Sequence, residues 1–291
     1  MKKSLSILLP SYNNCCYTLV AALKAQADSI SGLSYEIIVA DDGSRDQVAV
    51  ISNLRINELD CCRYIRRREN VGRAAIRNFL ASEAEGDRLL FLDSDVTIVS
   101  DTFLAAYLAT AAEVVNGGVT VIGDEKPWCL RYLYEKRAEK HHTSACRTAY
   151  GYRNFHTANF MVRRHVFDKC CFDAKLRKYG YEDLLFGLDL EAKGIKLCHI
   201  YNPVGLNIDE SNTSFVEKTE ESLHNLHSLQ TRLDDSVRLI RCVNRLKACH
   251  LVWAVTLFHK LFHRLIRRNL VGDRPSLLLF NIYKLGYYTS L

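Results

Sequence analysis

The chain has 291 residues, of which 48% are hydrophobic and 25% charged, with a net charge of +6. This composition excludes a disordered or fibrous protein and leaves room for one large domain, or for one domain with an appendage. Apolar runs such as residues 251–255 are far shorter than the ~20 residues of a membrane span, and no signal-peptide pattern follows Lys2 and Lys3, so we expect a cytoplasmic enzyme whose cysteines stay reduced.

Apolar runs alternate with helical patterns along the first hundred residues. The predicted strands are residues 5–10, 35–40, 62–65 and 88–92, and the predicted helices are residues 14–27, 46–58, 73–84 and 102–115. Alternating strands and helices favour an α/β fold, in which a Rossmann-like, mostly parallel sheet carries helices on both faces.

Polar segments follow three of these predicted strands: residues 10–13, 41–44 and 93–95. Ligands of such sheets bind beyond the carboxyl ends of the strands. We therefore expect the three segments to converge on one crevice.

Asp93 and Asp95 are the most informative pair, because two carboxylates one residue apart follow a buried strand. They suit Mn²⁺ or Mg²⁺, a hard cation that takes its remaining ligands from substrate phosphates. The alternative is a helix cap, although Ser100 or Asp101 is also placed to cap the helix predicted at 102–115.

Several other side chains each allow two interpretations. Asp42 either accepts hydrogen bonds from a base or ribose or belongs to an ordinary Asp-Gly turn. Tyr12 either stacks on a nucleobase or packs at the sheet edge. Arg73 and Arg77, four residues apart, either meet phosphates or form a solvated helix face. The run of arginines at 66–68 is expected to be solvated.

Six segments together carry a family resemblance: residues 7–13, 39–44, 70–78, 91–95, 157–162 and 180–190. In order and spacing they resemble the family 2 inverting glycosyltransferases, as far as about residue 210. The resemblance implies an A-type, nucleotide-diphospho-sugar transferase fold. It also implies a catalytic domain at 1–215, with a nucleotide-sugar half at 1–125 and an acceptor half at 126–215. A helical, basic C-terminal extension at 216–291 would follow.

The resemblance also assigns roles in binding the donor. The implied nucleotide-sugar-binding residues are Pro10, Tyr12, Asp42, Arg77, Asp93 and Asp95. Pro10 and Tyr12 would flank the base, and Asp42 would hold the edge of uracil or another base. Asp93 and Asp95 would bind the metal, with Asp95 the more direct ligand.

On the acceptor side, the resemblance makes Asp183 the general base. Glu182 and His156 are also predicted on the acceptor side, where His156 could touch the acceptor or the diphosphate. An inverting displacement at the anomeric carbon needs a carboxylate within reach of the acceptor hydroxyl proton, on the face away from the leaving diphosphate. The alternative for Glu182 and Asp183 is the first turn of a helix, where acids favour the dipole. A lone histidine such as His156 is often structural.

One departure from the family concerns the metal. Members often carry a histidine after the strand near Asn202, and residues 205–209 contain none. Asn207, Asp209 or water would have to supply the oxygen ligand, because His199 lies too early. The departure keeps open a second reading, a catalytically impaired nucleotide-sugar-binding module.

The C-terminal segment 238–274 is strongly basic, with nine Lys or Arg residues and one acid, Asp273. Apolar residues within it recur at helical spacing and are predicted to lie opposite a set of cations. The apolar set is Leu257, Phe258, Leu261, Phe262 and Leu265, and the cations are Lys260, Arg264, Arg267 and Arg268. Such a helix either lies on an anionic membrane surface or packs its apolar face on the catalytic domain. No motif accompanies the charge that would indicate nucleic acid.

These observations predict an inverting glycosyltransferase of the hexosyl or acetylhexosaminyl type. Its donor would be a nucleoside-diphosphate sugar, a UDP-sugar in the first instance, and its acceptor a hydroxyl of a glycan or lipid-linked saccharide in surface polysaccharide synthesis. A sugar-nucleotide pyrophosphorylase fits less well, because residues 10–13 are not a Gly-rich basic loop. We expect a cytoplasmic protein, peripheral at the inner face of the cell membrane.

Overall fold

The computed structural model describes residues 4–233 and 236–291. The chain divides into two units. The first contains residues 4–122, 141–177 and 182–207, and the second contains residues 123–140, 178–181 and 208–291. The domain boundaries implied by the family resemblance, at residues 125 and 215, stay a prediction.

Ten strands belong to the first unit. They are β1 (Leu5–Ser11), β2 (Tyr35–Asp41), β3 (Cys62–Arg66), β4 (Arg88–Leu92), β5 (Val96–Ile98), β6 (Val114–Asn116), β7 (Val119–Ile122), β8 (Asn159–Arg163), β9 (Leu197–His199) and β10 (Val204–Asn207). Seven form a sheet in the order β3-β2-β1-β4-β8-β6-β9, and three form a second sheet in the order β5-β10-β7.

The larger sheet is mostly parallel, as the alternation of strands and helices predicted. β1 runs parallel to β2 and β4, β2 to β3, and β6 to β9, whereas β8 is antiparallel to β4 and β6. Every residue of β2 is buried, which explains the apolar run at residues 37–40, since a parallel strand is covered on both faces. The carboxyl ends of β1, β2 and β4 therefore meet at one edge of the sheet.

The helices lie in both units. They are α1 (Tyr17–Ser29), α2 (Gln47–Leu54), α3 (Arg73–Glu83), α4 (Phe103–Leu108), α5 (Leu130–Glu139), α6 (Ser144–Tyr150), α7 (Arg164–Phe167), α8 (Glu182–Ala192), α9 (Asn212–Ser228), α10 (Gln230–Leu233), α11 (Arg238–Ala248), α12 (Val252–Val271) and α13 (Leu277–Thr289), with short 3₁₀ helices at Arg55–Glu58 and Gly151–Asn154. No helix in the described part of the chain is both long and apolar enough to cross a membrane.

The helix predicted at 102–115 is wrong in its second half. α4 ends at Leu108, and the fully buried Val114 and Val115 begin β6 between β8 and β9. Branched side chains pack well in a buried strand, and hydrogen bonds on both sides outweigh a weak helix propensity. Gly117 then lets the chain pass close to α4, since a Cβ there would lie 2.4 Å from the Tyr107 hydroxyl.

The second unit is helical, as predicted for the C-terminal extension. Its apolar core is formed by buried residues from α5, α9, α12 and α13: Leu130, Val216, Ile266, Leu270, Phe280 and Tyr283. The Tyr283 hydroxyl donates to the carboxylate of Glu220 at 2.6 Å. α9, α12 and α13 are therefore one packed assembly.

Candidate functional site

The loops that follow β1 and β2 are tied together by Asn13. Its backbone adopts the left-handed conformation, with φ 51°, which asparagine tolerates better than most residues. The Asn13 side-chain oxygen accepts from the backbone N–H groups of Arg45 at 2.8 Å and Asp46 at 3.0 Å. Its own N–H donates to Ser44 Oγ at 2.7 Å. The convergence predicted for these two polar segments is therefore present, with Tyr12 about half exposed at its edge.

Asp42 links the same edge to the loop before α3. Its buried carboxylate accepts from the N–H groups of Val71 at 2.9 Å and Gly72 at 3.0 Å. Burial raises the pKa of Asp42, and the two N–H groups oppose that rise. Gly72 has φ +91°, and a Cβ there would lie 2.8 Å from the carbonyl oxygen of Arg177. Glycine is therefore required at the loop that Asp42 holds.

Arg77 is buried and ion-paired, so the interpretation of a solvated helix face is wrong for this residue. Its guanidinium is 1% exposed, and Nη2 donates to Asp93 Oδ1 at 2.5 Å. Nη1 donates to the carbonyl oxygen of Arg73, whereas Nε is buried without a hydrogen-bond partner among the described residues. α3 thus delivers a positive charge to the end of β4.

The segment from Asp93 to Asp95 does not cap a helix, because α4 begins only at Phe103, after Thr102. The Asp93 N–H donates to the carbonyl oxygen of Ala158, and the Asn14 side-chain amide donates to the carbonyl oxygen of Ser94 at 2.6 Å. Asp95 is exposed at the end of this turn. The turn is therefore built by hydrogen bonds from the loop after β1 and from the approach to β8.

The carboxylates fit a cation that arrives with a substrate. Among the described residues, no group of three or more His, Cys, Asp or Glu side chains is placed to hold a metal ion. One carboxylate oxygen of Asp93 also accepts a hydrogen bond from Arg77. A Mg²⁺-type ion is commonly bound by one or two carboxylates and completed by substrate phosphates. Asp93 and Asp95 match that arrangement better than a metal site made by protein alone.

The strand that lacks the expected histidine lies beside Asp95. β10 pairs antiparallel with β5, with Leu206 opposite Val96. Continued by one residue, that register brings the exposed Asn207 opposite Asp95. Asp209 belongs to the second unit and is 99% exposed, with Lys126 Nζ 4.0 Å away. Asn207 is therefore the better placed of the two candidate oxygen ligands.

His199 is not a substitute ligand. Its Nδ1 lies 3.1 Å from Arg147 Nη1, and its Nε2 lies 3.1 Å from the carbonyl oxygen of Gly151. Burial lowers the pKa of His199 to about 4, so the ring is neutral and held between these two partners. The sequence inference that His199 lies too early is consistent with this position.

Glu182 and Asp183 form the first turn of α8, and their environments differ. Burial and the neighbouring Asp183 raise the pKa of Glu182, whose carboxylate lies 4.0 Å from Arg73 Nη1. Burial alone would also raise the pKa of Asp183, but His156 and the N–H of Leu184 outweigh it and lower that pKa. Adjacent carboxyl groups with opposed pKa shifts are typical of divided roles in a site.

His156 is the partner that distinguishes Asp183 from Glu182. Its Nδ1 lies 3.7 Å from Asp183 Oδ2, and its ring centroid lies 5.0 Å from that of His142. Nε2 of His156 is buried and has no hydrogen-bond partner among the described residues. The sequence did not predict that His156 lies beside Asp183, and only the fold brings the two side chains together.

Two supporting side chains were missed by the sequence analysis. Asn159 is buried at the start of β8, and its amide donates to the carbonyl oxygens of Gly118 at 2.9 Å and Asn202 at 2.8 Å. Arg147 is 1% exposed and donates to the carbonyl oxygens of Gly117 and Ile200. The Gly117-Gly118 pair was the only sequence signal for this turn, and nothing local marked Arg147.

The arginine run at 66–68 is also more structured than predicted. Together with Gly43 and Ser44 it lines a cleft beside the loop that follows β2. The Arg67 guanidinium stacks over the ring of Phe79, 4.5 Å from its centroid. Arg66 and Arg68 are exposed, as predicted for a solvated run, whereas Arg67 is partly buried by this contact.

The sequence matches Glycosyl transferase family 2 over residues 6–171. An uncharacterized glycosyltransferase of Haemophilus influenzae is 36% identical over 97 residues, which cover 33% of this chain and 38% of that protein. An N-acetylglucosaminyltransferase of Sinorhizobium fredii is 27% identical over 137 residues, covering 45% of this chain and 32% of that protein. The matches thus span less than two fifths of the length of these curated relatives.

Solved structures share the fold at low sequence identity. A mannosyltransferase from Pyrobaculum calidifontis, in complex with GDP-Man and Mn²⁺, has a TM-score of 0.58 at 12% identity, covering 99% of this chain and 85% of that one. S. aureus TarS residues 1–349, in complex with UDP-GlcNAc, has a TM-score of 0.54 at 17% identity, covering 99% and 90%. Since the family match spans more than half of the 291 residues, the chain belongs to Glycosyl transferase family 2.

Proposed function

We propose that the protein is an inverting glycosyltransferase that moves a sugar from a nucleoside-diphosphate donor to an acceptor hydroxyl. One observation carries the proposal: a single unit of the chain holds both the Arg77–Asp93 ion pair and the Asp183–His156 pair. The first pair supports a turn that ends in the exposed Asp95. The second supplies a carboxylate whose pKa is lowered, so that it is ionised at neutral pH.

The donor would bind at the edge where β1, β2 and β4 end. Pro10 and Tyr12 would flank the base, and the Asp42 carboxylate, which has acceptor capacity beyond its two backbone donors, would hold the base edge. Asp95, with Asp93, would hold Mn²⁺ or Mg²⁺ against the diphosphate, and that ion would offset charge on the leaving nucleotide. UDP is the first nucleotide to test, because the TarS complex contains UDP-GlcNAc.

The chemical step would be a single displacement. The acceptor oxygen forms its bond to the anomeric carbon while the bond from that carbon to the diphosphate oxygen breaks, and the acceptor proton passes to Asp183. Attack from the face opposite the leaving group inverts the anomeric centre and needs no covalent intermediate. His156 would hold the Asp183 carboxylate ionised and oriented, while Glu182, with its raised pKa, would stay on the acceptor side as a positioning group.

The transferred sugar would be a hexose or an N-acetylhexosamine. The Sinorhizobium fredii relative, an N-acetylglucosaminyltransferase, favours the latter. We propose a glycan or lipid-linked saccharide as acceptor, in surface polysaccharide synthesis at the cytoplasmic face of the membrane. No histidine or cysteine acts as a nucleophile in this reaction.

A panel of UDP- and GDP-sugars, scored by nucleotide release with Mn²⁺ or Mg²⁺, tests the proposal. Each donor is assayed with and without candidate acceptors, and the anomeric configuration of the product is read by NMR. A preferred donor with an inverted product is expected. A retained configuration would contradict the single displacement.

The second candidate is a catalytically impaired nucleotide-sugar-binding module of the same fold. It is favoured by one observation, that residues 205–209 contain no histidine, although family members often carry one in this stretch. Calorimetry separates the two, because the module would bind a donor without releasing its nucleotide under any acceptor condition. The enzyme would bind and turn over.

A further inference from the structure

α12 buries one of its sides and leaves several large apolar side chains on the other side exposed. Its buried residues are His259, Ile266 and Leu270, of which Ile266 and Leu270 join the apolar core of the second unit. By contrast Leu257, Leu261 and Leu265 are 48%, 68% and 67% exposed. The interpretation that this apolar face packs on the rest of the protein is therefore wrong.

The exposed apolar surface is larger than the sequence pattern indicated. It also includes Trp253, which is 68% exposed and one helical turn before Leu257, and the ring pair Phe258 and Phe262, whose centroids are 4.8 Å apart. Leu251, just before α12, is exposed as well. We call these seven residues the α12 apolar surface: Leu251, Trp253, Leu257, Phe258, Leu261, Phe262 and Leu265. Monomeric proteins rarely expose so many large apolar side chains together.

The cations of α12 lie beside this surface, not opposite it as predicted. An α-helix advances about 100° per residue, so Lys260, Arg264 and Arg268 fall about 110°, 70° and 30° from the middle of the α12 apolar surface, all on the same side of it. Within residues 4–233 and 236–291, none of the three forms an ion pair. Arg267 differs, because its guanidinium lies 3.7 Å from Glu217 and 3.5 Å from Glu220 on α9. Arg267 thus pairs with α9 and is not counted among the cations that would bind a ligand.

We propose that α12 docks on the surface of an anionic lipid bilayer. The α12 apolar surface would enter the interface between headgroups and acyl chains, with Trp253 at headgroup depth, where an amphipathic ring is favoured. Lys260, Arg264 and Arg268 would lie along one flank, within reach of lipid phosphates. Exposed basic residues of α11, such as Arg241 and Arg245, would add to the attraction between this segment and anionic lipids.

Charge selects this occupant over a second copy of the chain. A two-fold contact through the same surface would bring the Lys260, Arg264 and Arg268 flanks of two copies near each other, and like charges would oppose it. Segment 238–274 carries nine cations and one acid, whereas the whole chain has a net charge of only +6. An anionic bilayer complements both the apolar surface and its basic flank.

Co-sedimentation of the full chain with vesicles at low salt tests the contribution of the cations to binding. Binding is expected for phosphatidylcholine mixed with phosphatidylglycerol and not for phosphatidylcholine alone, and added salt should weaken it. Replacing Lys260, Arg264 and Arg268 by Gln should weaken binding about 100-fold, at roughly one decade per 1.4 kcal/mol and about 1 kcal/mol per cation. The control replaces the exposed Lys169, Lys175 and Lys196 by Gln. It has the same net charge as the first triple variant and should retain binding.

The apolar term is tested by Leu261→Ser together with Leu265→Ser, which should also abolish vesicle binding. Ile51→Ser, an exposed aliphatic residue on α2, is the control and should not. In a Trp128→Phe background, which leaves Trp253 as the only tryptophan, its emission should shift to shorter wavelength on anionic vesicles alone. Circular dichroism confirms that each variant is folded.

Four outcomes would overturn the proposal. Equal binding to neutral vesicles, or equal loss in the two cation triples, would show that α12 does not recognise a lipid surface specifically. A dimer that dissociates in the Leu261→Ser, Leu265→Ser variant, measured by light scattering, would assign the surface to a second copy. Tight vesicle binding by that variant would remove the apolar residues from the interaction.

Discussion

Nδ1 of His156 lies 3.7 Å from Oδ2 of Asp183, at the residue after the start of α8. The same carboxylate accepts from the N–H of Leu184 through its other oxygen at 2.7 Å. Both partners favour the charged form, so the pKa of Asp183 falls although burial would raise it. Glu182, one residue earlier, lacks that histidine, and its pKa rises. The pair therefore holds one carboxylate ready to accept a proton beside one that ionises less readily.

Asp183→Asn should remove the proposed base with little change in shape. The rate of transfer should fall ~10²–10⁴-fold, the usual contribution of such a group, while the donor Kd should barely change. Single-turnover kinetics and calorimetry measure the two quantities separately. Weakened donor binding with intact turnover would make Asp183 a donor contact instead.

His156→Ala should change the pH dependence of transfer. Loss of the histidine removes an interaction that lowers the pKa of Asp183, so that pKa should rise. Since the base works only when ionised, activity is lost as pH falls through its pKa, and the acid limb of kcat/KM should move to higher pH. A variant with reduced activity but an unmoved acid limb would indicate that His156 is merely structural.

Asp95→Ala should abolish transfer and weaken donor binding in Mn²⁺, because the turn after β4 would lose its exposed carboxylate. The Kd of the nucleotide sugar, measured with Mn²⁺ and then with excess chelator, tests this. In the wild type, chelation should weaken binding, whereas in the variant it should make little difference. Undiminished wild-type activity in chelator would remove the metal role from Asp93 and Asp95.

Asn207→His should tighten the binding of Mn²⁺ in the presence of nucleoside diphosphate. The β5–β10 register brings this position opposite Asp95, and imidazole is a stronger ligand than an amide for such metals. Electron paramagnetic resonance of Mn²⁺ reports its bound fraction directly. An unchanged bound fraction of Mn²⁺ in the variant would contradict a ligand position for residue 207.

Arg77→Met should destabilise the protein by about 3 kcal/mol, because it leaves Asp93 without its partner in a mostly buried site. Urea denaturation measures the free energy of unfolding. The double variant Arg77→Met, Asp93→Asn should lose less than the sum of the two single variants, since the two residues interact directly. Full additivity would mean that the 2.5 Å contact contributes nothing to stability.

The sequence determined the order of the elements and the chemistry at the strand ends. Short apolar runs within β1, β2 and β4 favoured buried strands, and glycine, asparagine and aspartate after them marked the loops. These signals are local, since they depend on spacing and backbone preference. They therefore predicted Asp42, Asp93 and Asp95 as candidate groups of the site, whereas Asp183 was implied by the family resemblance.

Only the tertiary structure decided which side chains meet. The spacing of Arg77 on α3 allowed either a phosphate contact or a solvated face, but the sheet brings α3 and the end of β4 together and buries it against Asp93. Val114 and Val115 read as helix, but pairing with β8 and β9 made them a strand. On α12 the apolar and basic spacing was visible, yet the side that packs is set by α9 and α13, through Ile266, Leu270 and the Arg267 ion pairs. Burial and ion pairing depend on partners distant in the chain, and no local pattern can supply them.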